Sequence, residues 1–141
     1  REPAASIMPT RHSRAPSDPK LQYGGSPNRE TPYSMAFLDV TNEPLVLTVP
    51  PNPENRYYTL QLIDFYSDTV GYIGQRATKN IAGDYLVTGP GWKGKVPKGI
   101  KGVIPSWTPW LMVAGRTYAD PTEADRRRAA AAPLSPTEER R

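Results

Sequence analysis

The sequence predicts an all-β domain with mainly antiparallel sheets, built as a β-sandwich or a partly open barrel, with one short C-terminal helix and flexible ends. Three observations predict this fold. Seventeen prolines and eleven glycines in 141 residues exclude a helical bundle, because proline interrupts the hydrogen-bond ladder of a helix. Apolar residues recur at the two-residue period of a strand. The segments between these runs are too short for the helical crossovers of parallel strands.

The aromatic residues mark the limits of the domain. All thirteen lie between Tyr23 and Tyr118, and aromatic side chains bury the largest apolar surface per residue. Residues 1–27 hold five prolines among Ser, Arg and Gly, which predicts a flexible arm or long loop. Residues 28–118 are the predicted β domain, and residues 133–141 are a predicted polar tail.

Seven strands are predicted inside the domain. In the segment 56–66, Tyr58, Leu60 and Leu62 alternate with more polar residues and share one face. The run 44–50 is continuously apolar and ends in prolines, which indicates a buried strand. The other predicted strands are 33–40, 69–74, 84–88, 101–104 and 109–118.

One helix is predicted over residues 121–132, within a segment 119–132 that follows the domain. Asp120 can cap it, and Pro121 suits the first helical position. The alanines that follow have high helix propensity, and Pro133 ends the helix. Alanine alone gives it almost no apolar stripe with which to dock on a sheet.

The distribution of charged and apolar residues argues against a nucleic-acid surface and against a membrane-spanning helix. Eighteen Lys and Arg residues against fourteen Asp and Glu give a net charge of +4, which is typical of ordinary solvated surface charge. The densest cationic clusters, 126–128 and 140–141, contain no aromatic residue, so no nucleic-acid surface is predicted. No apolar run approaches the roughly 20 residues that a membrane helix needs, so no transmembrane segment is predicted.

The absence of cysteine and the single histidine restrict the chemistry further. Disulfides, thiolate metal sites and cysteine nucleophiles are excluded. His12 lies in the arm, where it is predicted to be solvated, so neither a multi-histidine metal site nor a serine–histidine pair is expected. We predict no metal and no cofactor. The first residue is Arg1 and no apolar leader is visible, which suggests a fragment or a processed form.

A polar cluster leads directly into the first predicted strand of the domain. Arg29 can offer a forked pair of donors to an anion, and Asn28 and Tyr33 can add neutral hydrogen bonds. This cluster is a candidate ligand-binding rim. The alternative is an ordinary turn in which Asn28 and Thr31 bond to the local backbone.

Three aspartates, Asp39, Asp64 and Asp84, stand at predicted strand ends next to apolar runs. Two carboxylates across a cleft could perform acid–base chemistry or hold a hard cation. Otherwise each caps a turn or pairs with an arginine. Asp64 continues a buried face, where a carboxylate needs a partner or a shifted pKa. Arg76 and Arg116 are its candidate partners.

Two glycine-containing motifs complete the set. In the loop 89–94, Trp92 could stack on a sugar or an aromatic ring, or it could pack over the edge of a sheet. The loop lacks the spacing of a phosphate-binding loop. In the last strand, Gly115 indicates a bulge or a close backbone approach, and Arg116 then points to a carboxylate or into a pocket.

Residues 28–118 resemble the bacterial domain of unknown function numbered 1254 (DUF 1254). The order and spacing of several short motifs carry the resemblance. They are Asn28-Arg29-Glu30-Thr31-Pro32-Tyr33-Ser34, Asp39 with Glu43-Pro44, Arg56-Tyr57-Tyr58, Gln61-Leu62-Ile63-Asp64 with Tyr66, Gly74-Gln75-Arg76-Ala77-Thr78, Gly83-Asp84-Tyr85-Leu86, Gly89-Pro90-Gly91-Trp92-Lys93-Gly94 and Gly115-Arg116-Thr117.

The first motif departs from the family pattern. That pattern usually has aspartate and leucine where this chain has Glu30 and Pro32. Pro32 removes a backbone donor, so the first strand is expected to start at a sheet edge. The resemblance implies a β-sandwich-like domain, often in proteins exported to the bacterial envelope. Family members often add a second β-rich domain, DUF 1214, and this chain is expected to be the first domain alone or a shortened relative.

The resemblance implies no particular reaction, so the functional hypothesis is inferred from the candidate residues themselves. The leading hypothesis is a non-catalytic ligand-binding or structural module of an exported bacterial protein, periplasmic or secreted if the resemblance holds and otherwise cytoplasmic. Its partner would be a small molecule or a second β-rich domain. The predicted ligand-binding residues are Asn28, Arg29, Tyr33, Asp64, Arg76, Trp92 and Arg116.

Two alternatives remain open. The first is a hydrolase or lyase that uses Asp39 or Asp64 with a tyrosine or with Arg116, which would place Asp64 and Arg116 in one cleft. The second is a partner-binding domain with an uncovered apolar edge. That interpretation predicts aggregation of the isolated chain or a homodimer.

Overall fold

The computed structural model describes residues 7–12, 31–119, 122 and 137–138. Strands dominate, and the predicted fold class is confirmed. The elements are β1 (Ile7–His12), β2 (Tyr33–Asp39), β3 (Leu45–Val49), β4 (Tyr58–Asp64), β5 (Thr69–Gly74), α1 (Gln75–Thr78), β6 (Gly83–Thr88), β7 (Ile100–Pro105), β8 (Trp110–Thr117) and β9 (Thr137–Glu138). The predicted helix over 121–132 lies outside the described residues.

Two open sheets contain these strands. A five-stranded sheet has the order β1-β2-β8-β4-β5, and a four-stranded sheet has the order β7-β6-β3-β9. Every pair in the five-stranded sheet is antiparallel. In that sheet β8 pairs with β2 on one side and with β4 on the other, so the longest described strand lies at its centre.

One pair in the four-stranded sheet departs from the antiparallel pattern. Strands β6 and β7 are parallel, although only residues 89–99 connect them and no helix lies between. The close approach at Gly89 explains how the chain leaves β6, because a Cβ atom there would overlap the Val40 carbonyl oxygen. Only glycine allows the connection to pass this near to the backbone that follows β2.

The core lies on the inward faces of the two sheets. The predicted alternation in β4 is confirmed, because Tyr58, Leu60 and Leu62 are all buried while Thr59 and Gln61 between them are half-buried. Strand β3 is buried at four of its five positions, as its continuous apolar run predicts. Burial of these side chains supplies the main stabilising contribution to the fold.

Strands β1 and β9 fall in segments whose sequence predicts no strand. Strand β1 lies within residues 1–27 and pairs with β2, and β9 lies within the predicted polar tail and pairs with β3. Backbone hydrogen bonds to a strand edge require no particular side-chain pattern, so the sequence carries little signal for them. The β1–β2 register shifts between Met8 and Arg11, where Pro9 lacks a donor.

Candidate functional site

The register of the five-stranded sheet brings three of the sequence-predicted residues to one end of its outward face. Tyr33 pairs with Arg116, Arg116 with Thr59, and Thr59 with Gly74, in one row across β2, β8, β4 and β5. Arg76 follows two residues after Gly74, in α1. We call Tyr33, Thr59, Arg76 and Arg116 the arginine end.

Arg116 is exposed and lies over an aromatic ring. Its guanidinium carbon is 5.2 Å from the ring centroid of Tyr33, a cation–π contact that holds the side chain against the sheet. Gly115 beside it makes a close approach and not a bulge. The register on both sides of it is continuous, and a Cβ atom there would lie 3.0 Å from the Leu60 side chain.

Arg76 lies at a cavity of about 360 Å³ next to this row. Gly74 allows the sharp turn from β5 into α1, since its φ is +151° and a Cβ atom there would overlap the Tyr58 carbonyl oxygen. The Thr78 hydroxyl secures this turn, since it accepts from the Gly74 N–H and donates to the Gly74 carbonyl. The lining residues are Tyr57, Tyr58, Thr59, Tyr72, Gly74, Arg76 and Ala77.

Neither arginine of this end is neutralised within residues 31–119. The ion pair in that range joins Arg56 to Glu54, and Arg76 and Arg116 form none there. The Cα atoms of Arg116 and Gly74 are two strand spacings apart, about 10 Å. Both guanidinium groups are exposed and have tyrosines nearby, and each offers a planar fork of donors to an anion.

Tyr58 is a buried tyrosine that lines the same cavity. Its side chain is 1% exposed, and its hydroxyl makes no hydrogen bond of ordinary geometry within the described residues. Burial raises the pKa of Tyr58 above its usual value of 10.0, and the nearby Tyr85 raises it further. The Thr78 hydroxyl lowers this pKa in part. The Tyr58 hydroxyl is therefore held neutral, with hydrogen-bonding capacity to spare.

Asp64 lies at the opposite end of the sheet, which we call the aspartate end. Asp64 pairs with Leu111, whereas Arg116 pairs with Thr59, five residues further along β8 and β4 and about 17 Å away. Asp64 and Arg116 therefore share no cleft. This placement contradicts the pairing of Asp64 with Arg116 that the sequence suggested.

The hydrogen bonds of Asp64 close the β4–β5 turn. Its Oδ1 accepts from the backbone N–H groups of Tyr66 and Asp68, both at 2.9 Å. Its Oδ2 accepts from the Trp107 indole N–H at 3.1 Å. The carboxylate is 4% exposed and bonds to three donors, none of them an arginine. Its burial is thus explained by a structural role.

The other two aspartates also have local roles. Asp39 Oδ1 accepts from the backbone N–H and the hydroxyl of Thr41, which caps the turn after β2. Asp84 accepts from the Thr48 hydroxyl at 2.8 Å, across β3 and β6. Asp39 pairs with the exposed Trp110, so its side chain is on the outward face, opposite to that of Asp64. The three carboxylates do not form an acid–base pair.

Trp92 is not brought to the arginine end. Its loop leaves β6 at Gly89, which packs against Val40 at the aspartate end. The indole ring lies against Gly94, where a Cβ atom would be 2.5 Å from a ring carbon. This arrangement matches a turn with a packed tryptophan. Asn28 and Arg29, the first two residues of the predicted rim, lie outside the described residues.

Sequence reasoning missed four members of the site, Tyr57, Tyr58, Thr59 and Tyr72. The two-residue period already placed Tyr57 and Thr59 on one face of β4 and Tyr58 on the other. What it could not supply was the pairing with β5, which sets Tyr72 and α1 beside that face. Among the described residues, no three His, Cys, Asp or Glu side chains are grouped to hold a metal ion.

A family model covers most of the sequence. It describes a protein of unknown function, DUF1254, and matches residues 9–135. The chain belongs to the DUF1254 family. This match extends beyond residues 28–118, over which the motifs suggested the resemblance, and it includes most of β1 and all of the predicted C-terminal helix.

A solved structure of similar fold supports the assignment. It is the crystal structure of the VPA0106 protein from Vibrio parahaemolyticus, with 26% sequence identity and a TM-score of 0.65. The match covers 74% of this chain and 26% of the VPA0106 chain, so this DUF1254 chain spans about a quarter of that protein's length. A comparison with curated proteins finds no match. In the described part of the chain, no helix has the length and apolarity to cross a membrane.

Proposed function

We propose that this DUF1254 domain is a non-catalytic binding module whose arginine end holds the carboxylate group of a small ligand. One observation carries the proposal: Arg76 and Arg116 lie on one face beside a cavity, and neither pairs with a carboxylate within residues 31–119. A guanidinium offers a planar fork of donors that matches a carboxylate, and it stays charged at every physiological pH.

The surroundings of the two arginines suit such a ligand. Tyr33 supports the Arg116 guanidinium from below, which reduces the side-chain freedom lost when an anion binds. Tyr57, Thr59 and Tyr72 supply neutral hydroxyl groups around the cavity. The cavity is lined by no carboxylate, so an anion would meet no like charge there.

The positions of the carboxylates favour binding over catalysis. Asp39, Asp64 and Asp84 each accept hydrogen bonds that stabilise turns or strand pairing, and Asp64 is remote from Arg116. No particular observation favours the hydrolase or lyase alternative. Export to the bacterial envelope, a homodimer and a second β-rich domain as partner remain predictions of the sequence and the resemblance.

The test is a titration of ¹⁵N-labelled protein with succinate, followed by NMR, with neutral succinamide as the matched probe. We expect saturable shifts at the arginine end with succinate and none with succinamide. Arg116→Gln and Arg76→Gln should each weaken binding by about tenfold, because one charge-assisted hydrogen bond contributes on the order of 1.5 kcal/mol.

Lys95→Gln is the control for the loss of one positive charge. Lys95 is exposed in the β6–β7 connection and does not line the cavity at the arginine end, so its removal should leave succinate binding unchanged. Shifts that never saturate, or that survive both arginine substitutions, would reject the proposed function. An equal loss in all three variants would show only long-range attraction by net charge and would also reject it.

A further inference from the structure

A second cavity, of about 480 Å³, opens where the two sheets meet at an edge. Strand β5 is the last strand of the five-stranded sheet and β7 is the last of the four-stranded sheet. The cavity lies between them and α1, and we call it the β5–β7 groove. Its lining residues are Tyr72, Ala77, Thr78, Lys79, Ile81, Tyr85, Lys101, Gly102, Val103 and Ile104.

The groove is lined by apolar side chains that are exposed to solvent. Tyr72 and Ile81 are each 49% exposed, and Val103 is 42% exposed, although all three line this one cavity. Ile104 and the buried ring of Tyr85 extend the apolar surface inward. A volume of this size falls within the usual range of small-ligand sites, which are concave and mainly apolar.

Two close contacts shape the groove. A Cβ atom at Gly71 would lie 2.9 Å from an Ile104 methyl, so β5 and β7 nearly touch there and limit the groove on that side. A Cβ atom at Gly102 would lie 3.2 Å from the Tyr85 ring, so glycine keeps the space above this ring open. The Tyr85 hydroxyl donates to the Ile81 carbonyl at 2.7 Å, which fixes the ring in place.

The side chains that line the groove carry positive charge and no negative charge. Lys79 and Lys101 are both among its lining residues, and no Asp or Glu is. Within residues 31–119 neither lysine forms an ion pair. A ligand that pairs with these lysines must carry an anionic group, and a ligand that covers Tyr72, Ile81 and Val103 must carry an apolar body.

We propose that the β5–β7 groove is a second binding site, which takes an amphipathic carboxylate of the fatty-acid class. The carboxylate pairs with Lys79 and Lys101, and the hydrocarbon chain lies against Tyr72, Ile81, Val103 and Ile104. The groove shares Tyr72 and Ala77 with the cavity at the arginine end, but it depends on different cations. The proposal therefore does not rest on the proposed function.

The experiment is an NMR titration of the full chain with butyrate, hexanoate, octanoate and decanoate, each below the concentration at which it aggregates. We expect saturable shifts at Ile81, Tyr85 and Val103, and an affinity that rises about two- to fourfold per added methylene, as for burial of a hydrocarbon chain. Affinity that is independent of chain length would overturn the proposal.

Matched variants test separately how much the carboxylate and the hydrocarbon chain of the ligand contribute to binding. Lys79→Gln and Lys101→Gln should each weaken decanoate binding about tenfold, against Lys95→Gln as the control. Val103→Ser should weaken it about fivefold. Val96→Ser is its control, because Val96 is 48% exposed but lies outside the groove.

Three further outcomes decide whether the groove itself binds decanoate. If Arg76→Gln and Arg116→Gln abolish decanoate binding and the lysine variants do not, the anion sits at the arginine end and the groove proposal fails. If groove signals change with protein concentration and not with decanoate, the groove is a contact between copies and the proposal also fails. If decanoate binds as expected while succinate does not, the groove proposal stands and the proposed function falls.

Discussion

Strand β4 carries a buried polar side chain at each end of its inward face, and the two differ in how their polar atoms are used. Asp64, at the last residue, bonds to two backbone N–H groups and to the Trp107 indole. Tyr58, at the first residue, has a hydroxyl that forms no hydrogen bond of ordinary geometry within the described residues. Both side chains are almost completely buried.

This difference separates an end of the sheet whose buried polar group is fully hydrogen-bonded from an end whose buried polar group is not. A buried polar group that keeps all its partners stabilises a local conformation, and one that lacks a partner destabilises the fold. Departures of this kind are expected at functional or strained sites. Tyr58 lines the cavity next to the arginine end, and the arginine end itself carries Arg76 and Arg116, two cations that have no carboxylate partner within residues 31–119.

The outward faces of the two ends differ as well. At the aspartate end, Phe65 lies between two aromatic rings, 6.2 Å from Phe37 and 6.4 Å from Trp110, with the second contact edge-to-face. At the arginine end, the ring of Tyr33 is covered by a guanidinium. One end thus packs aromatic rings on each other, and the other presents an aromatic ring with a cation.

The largest expected effect comes from Asp64→Asn. The amide keeps one acceptor oxygen, but its NH₂ group would face either the Trp107 indole N–H or the two backbone donors. We expect a loss of about 2 kcal/mol in the free energy of unfolding, since a buried hydrogen bond to a charged group is replaced by a clash of donors. Urea unfolding followed by circular dichroism measures it.

Asp39→Asn is the control for this substitution. Asp39 lies at a half-buried turn and accepts its hydrogen bonds from the neighbouring Thr41, so the loss should be below about 1 kcal/mol. Asp64→Asn should also leave succinate binding unchanged under conditions where the protein stays folded. Weaker succinate binding by the folded Asp64→Asn protein would contradict the conclusion that Asp64 takes no part in binding at the arginine end.

The fold was largely predictable because the period of the apolar residues is a local property. Tyr58, Leu60 and Leu62 show which face of β4 is inward before any partner strand is known. Strands β1 and β9 were not predictable, because edge pairing uses the backbone alone. The parallel pairing of β6 and β7 depends on the path of the connecting loop, which the period of either strand does not report.

The candidate site was predictable only in part, because the register decides which residues meet. Tyr33, Arg76 and Arg116 were candidates, and the sheet brings them together. Asp64 was a candidate for the same rim, because a carboxylate on a buried face indicates a partner. The sequence could not show that this partner is a tryptophan and a turn rather than an arginine.

The second prediction compares two buried tyrosines by removal of one oxygen atom. Tyr85→Phe loses the hydrogen bond to the Ile81 carbonyl, so we expect a loss of about 1 kcal/mol in the free energy of unfolding. Tyr58→Phe removes a hydroxyl without a well-formed bond, so stability should stay equal or rise. Urea unfolding of both variants measures the difference. A loss at Tyr58 as large as that at Tyr85 would show that the Tyr58 hydroxyl is satisfied.

The third prediction uses the pKa of Tyr58. Because this pKa is raised in the folded protein, the unfolded chain releases the proton first, at about pH 10.0. The contribution of Tyr58 protonation to the free energy of unfolding is therefore complete below about pH 10, and it decreases as the pH rises above this value. Tyr58→Phe should make the free energy of unfolding fall less steeply above about pH 10. An identical slope in the variant and the parent protein would contradict the raised pKa.

The smallest expected effect concerns the aromatic contact at the aspartate end. A double-mutant cycle with Phe65→Leu and Trp110→Leu measures the coupling between the two exposed rings, which we expect to be about 0.5 kcal/mol for an edge-to-face pair. The same cycle applied to Arg116→Gln and Tyr33→Leu reports the cation–π contact at the other end. Added sodium chloride should weaken only this second coupling, because screening acts on the charge of the guanidinium. If salt weakens both couplings equally, the contrast between an uncharged aromatic contact at the aspartate end and a charged contact at the arginine end is wrong.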